Sequence, residues 1–304
     1  MVSCRPDRDD RSRRYELAPA TWRQKVDAAL RFAAITGLAA PSTTLIPLPL
    51  TQLLTRRFHR EVLSKKLHFM VEWADASMRW VLGTELRVSG KQNIPKDTRG
   101  HMFISNHQSY VDILVLMSAL DTVAFLSKSL VRKIPFIGRS AYMGGTVFFS
   151  RSSADERQRA LEETLRMCRE STAVVVFPEG TRSLDGGLRE KIYPRSIKEA
   201  HRSGLKVIPV ALHGTYKVFP KTMDRVETGL PVSVHIGDAI DPRDHASPDG
   251  FVEACWQTVA DLHDRARREI EGEGCSAEGD AEVIGRIGKA GSFQRQAGVS
   301  RDVA

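Results

Sequence analysis

The chain has 304 residues, 41% hydrophobic and 27% charged, which excludes global disorder and leaves room for one large α/β domain with extensions or two modest ones. Lys and Arg outnumber Asp and Glu by 45 to 37, and the net charge of +8 suits anionic partners without bearing on the fold. The four cysteines form no C-x-x-C pair and the nine histidines no H-E-x-x-H, so neither a disulfide scaffold nor a metal site is expected, and a reducing compartment is favoured.

Residues 1–27 form a charged N-terminal segment, longer and more acidic than the start of a secretory signal. Phe32 to Leu54 then runs 23 residues without a charge. A straight helix of that length would reach about 34 Å, enough for a bilayer core. Pro41, Pro47 and Pro49 interrupt it, however, and each removes a backbone donor. Five Lys/Arg lie in residues 12–31 and five in 55–74, where a crossing segment usually shows a bias to one side. Equal flanks favour both ends on one cytoplasmic face; full spanning and a buried soluble helix pair stay open. Residues 56–82 follow as an amphipathic helix with Phe69, Trp73 and Trp80 near one face, suited to lipid headgroups or to packing on the main domain. Residues 28–84 are accordingly read as membrane-docking helices, monotopic or re-entrant.

From Leu86 the rhythm changes to alternating strands and helices. Strands are expected at Leu86–Ser89, His101–Ser105, Thr122–Leu126, Thr146–Phe149, Thr172–Phe177, Lys206–Leu212 and Val232–Ile236. Helices are expected at Tyr110–Leu120, from a Ser153-x-x-Glu156 capping box to about Glu170, near Ser196–Arg202, and over about Gly250–Ile270. This order predicts an α/β fold over residues 85–270, with a largely parallel central sheet flanked by helices. Residues 271–304 hold seven glycines and no apolar periodicity, and read as a disordered tail.

Two loops that follow strands collect reactive side chains, where open α/β sheets place their ligands. The first is Asn106-His-Gln-Ser-Tyr-Val-Asp112. An imidazole can take a proton from a hydroxyl, and a carboxylate on its other nitrogen fixes the tautomer. A spacing of five puts two side chains about 140° apart on a continuous helix, so His107 must precede the helix and Asp112 fold back from its first turn. Ser109-x-x-Asp112 also fits a capping box, with Asp112 serving backbone amides alone. The second loop is Phe177-Pro-Glu-Gly-Thr-Arg-Ser183, where Glu179, Thr181 and Arg182 project together and Gly180 permits the turn. Arg182 offers a planar donor fork suited to phosphate; a solvated Glu/Arg surface turn is the bland alternative. Arg151, after Thr146–Phe149, is placed to join Arg182 at an anionic group. Lys128 and Lys133 are weaker candidates, and Val207–Leu212 reads as a core strand.

An Asn-His-x4-Asp run, then Gly-x3-Phe-x-Arg, then Phe-Pro-Glu-Gly-Thr-Arg-Ser, then Val-Ile-Pro-Val, in that order, resembles the glycerolipid acyltransferase family, with the 1-acylglycerol-3-phosphate acyltransferases its nearest branch. The resemblance covers roughly Leu86 to Leu212, and the hydrophobic stretch before it resembles that family's membrane-docking helices. It implies His107 as general base, Asp112 as its orienting carboxylate, Glu179, Gly180 and Thr181 shaping the acceptor site, and Arg151 and Arg182 holding a phosphate. It also implies a lysophospholipid acceptor, a fatty acyl thioester of coenzyme A or acyl carrier protein as co-substrate, a membrane surface as partner, no bound cofactor, and no nucleic acid. Two departures, Ser150 in place of an acidic residue and Tyr193-Pro-Arg-Ser196 in place of a Lys-Gly turn, bear on the acceptor and not on the chemistry. A serine hydrolase using Ser109 is disfavoured because no G-x-S-x-G elbow is present.

Overall fold

The computed structural model describes residues 19–38, 71–120, 123–134, 137–143, 145–150, 153–272 and 281–284. In chain order these form α1 (Trp22–Leu38), a helix over residues 71–82 whose end at Ser77–Leu82 widens into π-turns, β1 (Glu85–Ser89), β2 (His101–Ser105), α2 (Asp112–Leu120), β3 (Ala124–Lys128), α3 (Ile137–Met143) and β4 (Val147–Phe149). There follow α4 (Ala154–Glu170), β5 (Val174–Val176), α5 (Arg195–Arg202), β6 (Lys206–His213), α6 (Thr215–Val218), β7 (Pro231–Ile236), α7 (Pro248–Glu271) and β8 (Ala281–Ile284).

The strands join in one sheet of order β4-β3-β5-β2-β6-β7-β1-β8. Five pairings are parallel, and β6–β7 and β1–β8 are antiparallel. The central strands are apolar on both faces because both faces are covered. Along β2, Met102 and Ile104 face α4, α5 and α7, whereas Phe103 faces α2 and the N-terminal helices. Val174 and Val176 of β5 divide from Val175 in the same way, as a period of two requires. The capping box opens α4 as expected, with the Ser153 hydroxyl accepting from the Glu156 amide.

At the N-terminal side, α1 begins at Trp22, ahead of residue 28, inside what the sequence marked only as a charged segment. It packs through Ala28 and Ile35, and the buried Trp73 indole donates to the Ile35 carbonyl. Trp73 therefore faces the domain, while Trp80 is 79% exposed. No described helix is long and apolar enough to cross a membrane. Residues 39–70, with Phe69 and the three prolines, lie outside the described residues. Within the stretch read as a disordered tail, β8 pairs with β1 at the sheet edge. A four-residue strand offers no period to read, and the edge strand β1 supplies the donors and acceptors that it pairs with.

Gly90 makes the turn after β1 at φ +83°, where an added Cβ would stand 2.0 Å from the Ile236 carbonyl oxygen. That backbone cannot shift without disturbing β7. Gly90→Ala is expected to destabilise the protein by at least about 2 kcal/mol. Urea unfolding measures this, and an unchanged midpoint would contradict the close approach.

Candidate active site

β2 and β5 are parallel neighbours, so the loops leaving their C-terminal ends emerge side by side. The first loop is fastened to the next strand by Asn106. Its side-chain amide donates to the Leu212 carbonyl and its carbonyl accepts from the Leu212 amide, each at 2.9 Å. This two-point clasp mimics a strand pairing and extends β6 by one side chain.

Asp112 opens α2 with no exposed surface. Its Oδ2 accepts from His107 Nδ1 at 2.7 Å, from the Gln108 amide at 2.6 Å and from the Ser109 amide at 2.9 Å. Its Oδ1 accepts from the Thr215 hydroxyl. The capping and orienting readings of Asp112 are thus one geometry, in which a single oxygen serves the loop amides and the imidazole together. The Ser109 hydroxyl, by contrast, donates to the Phe219 carbonyl and is buried, which removes it as a nucleophile. With Nδ1–H given to the carboxylate, Nε2 is the nitrogen left to accept a proton. The ring stacks on Phe177 at 4.2 Å between centroids, a contact that fixes its plane.

The second loop braces the first. Glu179 is 1% exposed, and its Oε1 accepts the His107 amide at 2.9 Å, while the Ser183 amide donates to the His107 carbonyl at 2.7 Å. The buried Oε2 of Glu179 has no hydrogen-bond partner among the described residues. Burial is the main reason that its carboxyl titrates high, pushed up to about 7, with the nearby Asp112 charge adding to the rise against amides from His107 and Arg189. Sequence reasoning assigned Glu179 to the acceptor site, but the structure turns it inward as a brace for the His107 loop. Gly180 and Arg182 do reach the site, and Thr181 stands half-buried between them. The Arg182 guanidinium lies over the Tyr110 ring at 3.5 Å, with Nη1 buried and unpartnered among the described residues. Arg151 lies outside the described residues.

Beside the imidazole is a cavity of about 310 Å³, walled mainly by apolar side chains such as Ile113, Leu114 and Met117 of α2 and Phe125 and Leu126 of β3. His107, Gly180 and Arg182 supply polar groups at its wall, and Phe32, Ile35 and Trp73 bring in the N-terminal helices. That combination is the general form of a site for a mostly apolar ligand with one reactive end. Lys128 also lines it. Three contributors escaped the sequence reading: Thr215, which fixes Asp112; Asn106, which fixes the loop; and Lys221, whose ammonium donates to the Arg182 carbonyl at 3.0 Å. Only Asn106 had a signal, as a buried polar neighbour of a reactive histidine.

Residues 85–213 match the family model described as Acyltransferase. A crystal structure of the 1-acyl-sn-glycerophosphate (LPA) acyltransferase PlsC from Thermotoga maritima superimposes with a TM-score of 0.60 at 27% identity, covering 79% of this chain and 96% of that one. A chloroplastic 1-acyl-sn-glycerol-3-phosphate acyltransferase of Arabidopsis thaliana is 31% identical over 166 residues, 54% of this chain and 44% of that protein. A lyso-ornithine lipid O-acyltransferase of Pseudomonas aeruginosa is 35% identical over 146 residues, 47% of this chain and 53% of its own length. The chain thus spans about half the length of these two curated relatives.

A carboxyl whose folded value is raised contributes stability below its unfolded value, and that contribution is lost as pH rises through the folded one. For Glu179 the window runs from about 4.5 to about 7. Glu179→Gln keeps the acceptor for His107 without the charge, so its melting temperature should gain on that of the unsubstituted protein as pH rises from about 5 to 8. A constant difference across that range would contradict the buried, neutralised carboxyl.

Proposed function

We propose that this chain moves a fatty acyl group from a thioester to the free hydroxyl of 1-acylglycerol-3-phosphate, giving phosphatidic acid. The observation that carries the reading is the His107–Asp112 pair at 2.7 Å, set in the wall of an apolar cavity that also holds Arg182. His107 Nε2 takes the hydroxyl proton as the acceptor oxygen attacks the thioester carbonyl. The tetrahedral centre collapses, the carbon–sulfur bond breaks, and the thiolate leaves with the proton returned by the imidazolium. Asp112 holds the ring in the required tautomer and balances its charge when protonated. The donor is an acyl thioester of coenzyme A or acyl carrier protein, and the reaction needs no bound cofactor.

Work at a membrane surface follows from the acceptor and product, both of them lipids. It is supported by α1, which exposes Trp22, Val26 and Leu30 at four-residue spacing along one stripe. Trp80 adds a further exposed ring. Equal basic flanks around residues 32–54 favour attachment to the cytoplasmic face without crossing. A second reading keeps the chemistry and changes the acceptor to a lyso-aminolipid; the Pseudomonas relative, named a lyso-ornithine lipid O-acyltransferase, is the observation in its favour.

His107→Ala should lower acyl transfer by at least about 100-fold while leaving folding intact. Transfer of labelled acyl groups to a panel of lysolipids measures this, and near-normal turnover would sink the assignment. Arg182→Ala should raise the Michaelis constant for the acceptor by about tenfold or more and that for the thioester much less. Equal rises for both substrates would argue against Arg182 as the phosphate holder.

A further inference from the structure

Lys221 belongs to none of the sequence motifs. It follows β6 and the short α6, on a turn whose position is set from two sides. The Phe219 carbonyl holds the Ser109 hydroxyl of the base-bearing loop, and the Phe219 ring lines the apolar cavity. Two residues on, the Lys221 ammonium is fastened to the Arg182 carbonyl at 3.0 Å. The turn therefore touches both motif loops. Met223, next in the same turn, sits at φ 57°, a left-handed conformation that a non-glycine side chain holds only when its surroundings enforce it.

Three cations gather here. Arg182 and Arg189 both lie close enough to lower the Lys221 pKa, after burial, which is the larger cause. Among the described residues, no carboxylate stands within ion-pair distance of Lys221, Arg182 or Arg189. The buried Nη1 of Arg182 has no hydrogen-bond partner among those residues either. An ammonium has three donors, and the Arg182 carbonyl uses one of them. Like charges brought together by a built turn, with donors to spare, repel one another until an anion enters.

We propose that Lys221 and Arg182 together clamp the phosphate of the acceptor lipid, with Lys221 a specificity-determining residue that selects a phosphate-bearing lysolipid over a neutral one. The proposal rests on the reading of this cavity as the acyl-transfer site. Lys221 contributes a point charge and Arg182 a planar fork, so the pair grips one phosphate from two directions. The acyl chain then lies along the apolar wall, and the phosphate fixes which hydroxyl meets His107.

The test uses the full chain with substitutions Lys221→Met and Lys221→Arg. Binding of 1-acylglycerol-3-phosphate and of 1-monoacylglycerol is measured by titration calorimetry in mixed micelles, and steady-state transfer is followed with each acyl thioester. Unsubstituted protein should bind the phosphate-bearing lipid at least about tenfold more tightly than the neutral one, and Lys221→Met should lose most of that preference. Lys221→Arg should keep it within about threefold, which separates a lost charge from a disturbed turn. In turnover, Lys221→Met should raise the acceptor Michaelis constant about tenfold with the thioester constant and kcat little changed. Equal binding of the two lipids by the unsubstituted protein, or a preference unaltered in Lys221→Met, overturns the clamp. Selective binding with no acyl transfer would instead sink the reaction assigned to the site and leave the clamp standing.

Discussion

A carboxylate removed from water must have its oxygens satisfied, or the domain around it loses several kcal/mol. Asp112 is such a group. It has no exposed surface and gathers donors from the imidazole of His107, two loop amides and the Thr215 hydroxyl. Each donor comes from a different part of the chain or a different residue of a bent loop, so their meeting point determines where α2 starts, how the loop after β2 turns, and how far α6 approaches. The His107 imidazole is oriented by the same atoms that end the loop and begin the helix. Removing any one of them leaves a buried oxygen or amide unsatisfied, and the error propagates to the imidazole.

The second loop acts on this arrangement through the backbone. Glu179 and Ser183 hold the His107 peptide from its amide and its carbonyl, and Phe177 holds the ring plane. One motif is therefore largely a support for the other, and only Gly180 and Arg182 of the second reach the cavity wall beyond the Phe177 ring. Parallel pairing of β2 with β5 makes this possible, because it brings both loops out on the same edge of the sheet.

Most elements of the domain were legible from apolar runs and caps. The β-branched run at Thr172–Phe177 marked β5, and Ser153 with Glu156 marked the start of α4. The strand His101–Ser105 fell on its bounds because its flanks, Gly100 and the polar loop after it, are sharp. The His107–Asp112 pair was legible as well, since the spacing forced the helix to begin between them. Roles that depend on long-range contact were not. Nothing near Glu179 in the chain says that its partner is the His107 amide. Thr215 and Lys221 are ordinary residues of a connecting segment until β6 and the turn after it carry them to the two loops. The pairing of β8 with β1 is of the same kind, a contact between distant segments with no local period to announce it.

The apolar cavity has walls of two different mechanical characters. On one side stand Ile113, Leu114 and Met117, on the helix whose first residue is the carboxylate beside His107. On the other stand Phe125 and Leu126 of β3, Leu130 and Val131 just beyond it, and Ile137 and Ala141 of α3, none of them fastened to the His107 loop by a described hydrogen bond. A change of side-chain volume on the α2 wall is passed through one rigid turn to Asp112, whereas the same change on the β3 wall stays local. A change in the shape of the cavity can therefore proceed by drift along the β3–α3 wall while the α2 wall stays under restraint. The pocket is built so that its shape can change on one side without disturbing the His107–Asp112 pair on the other.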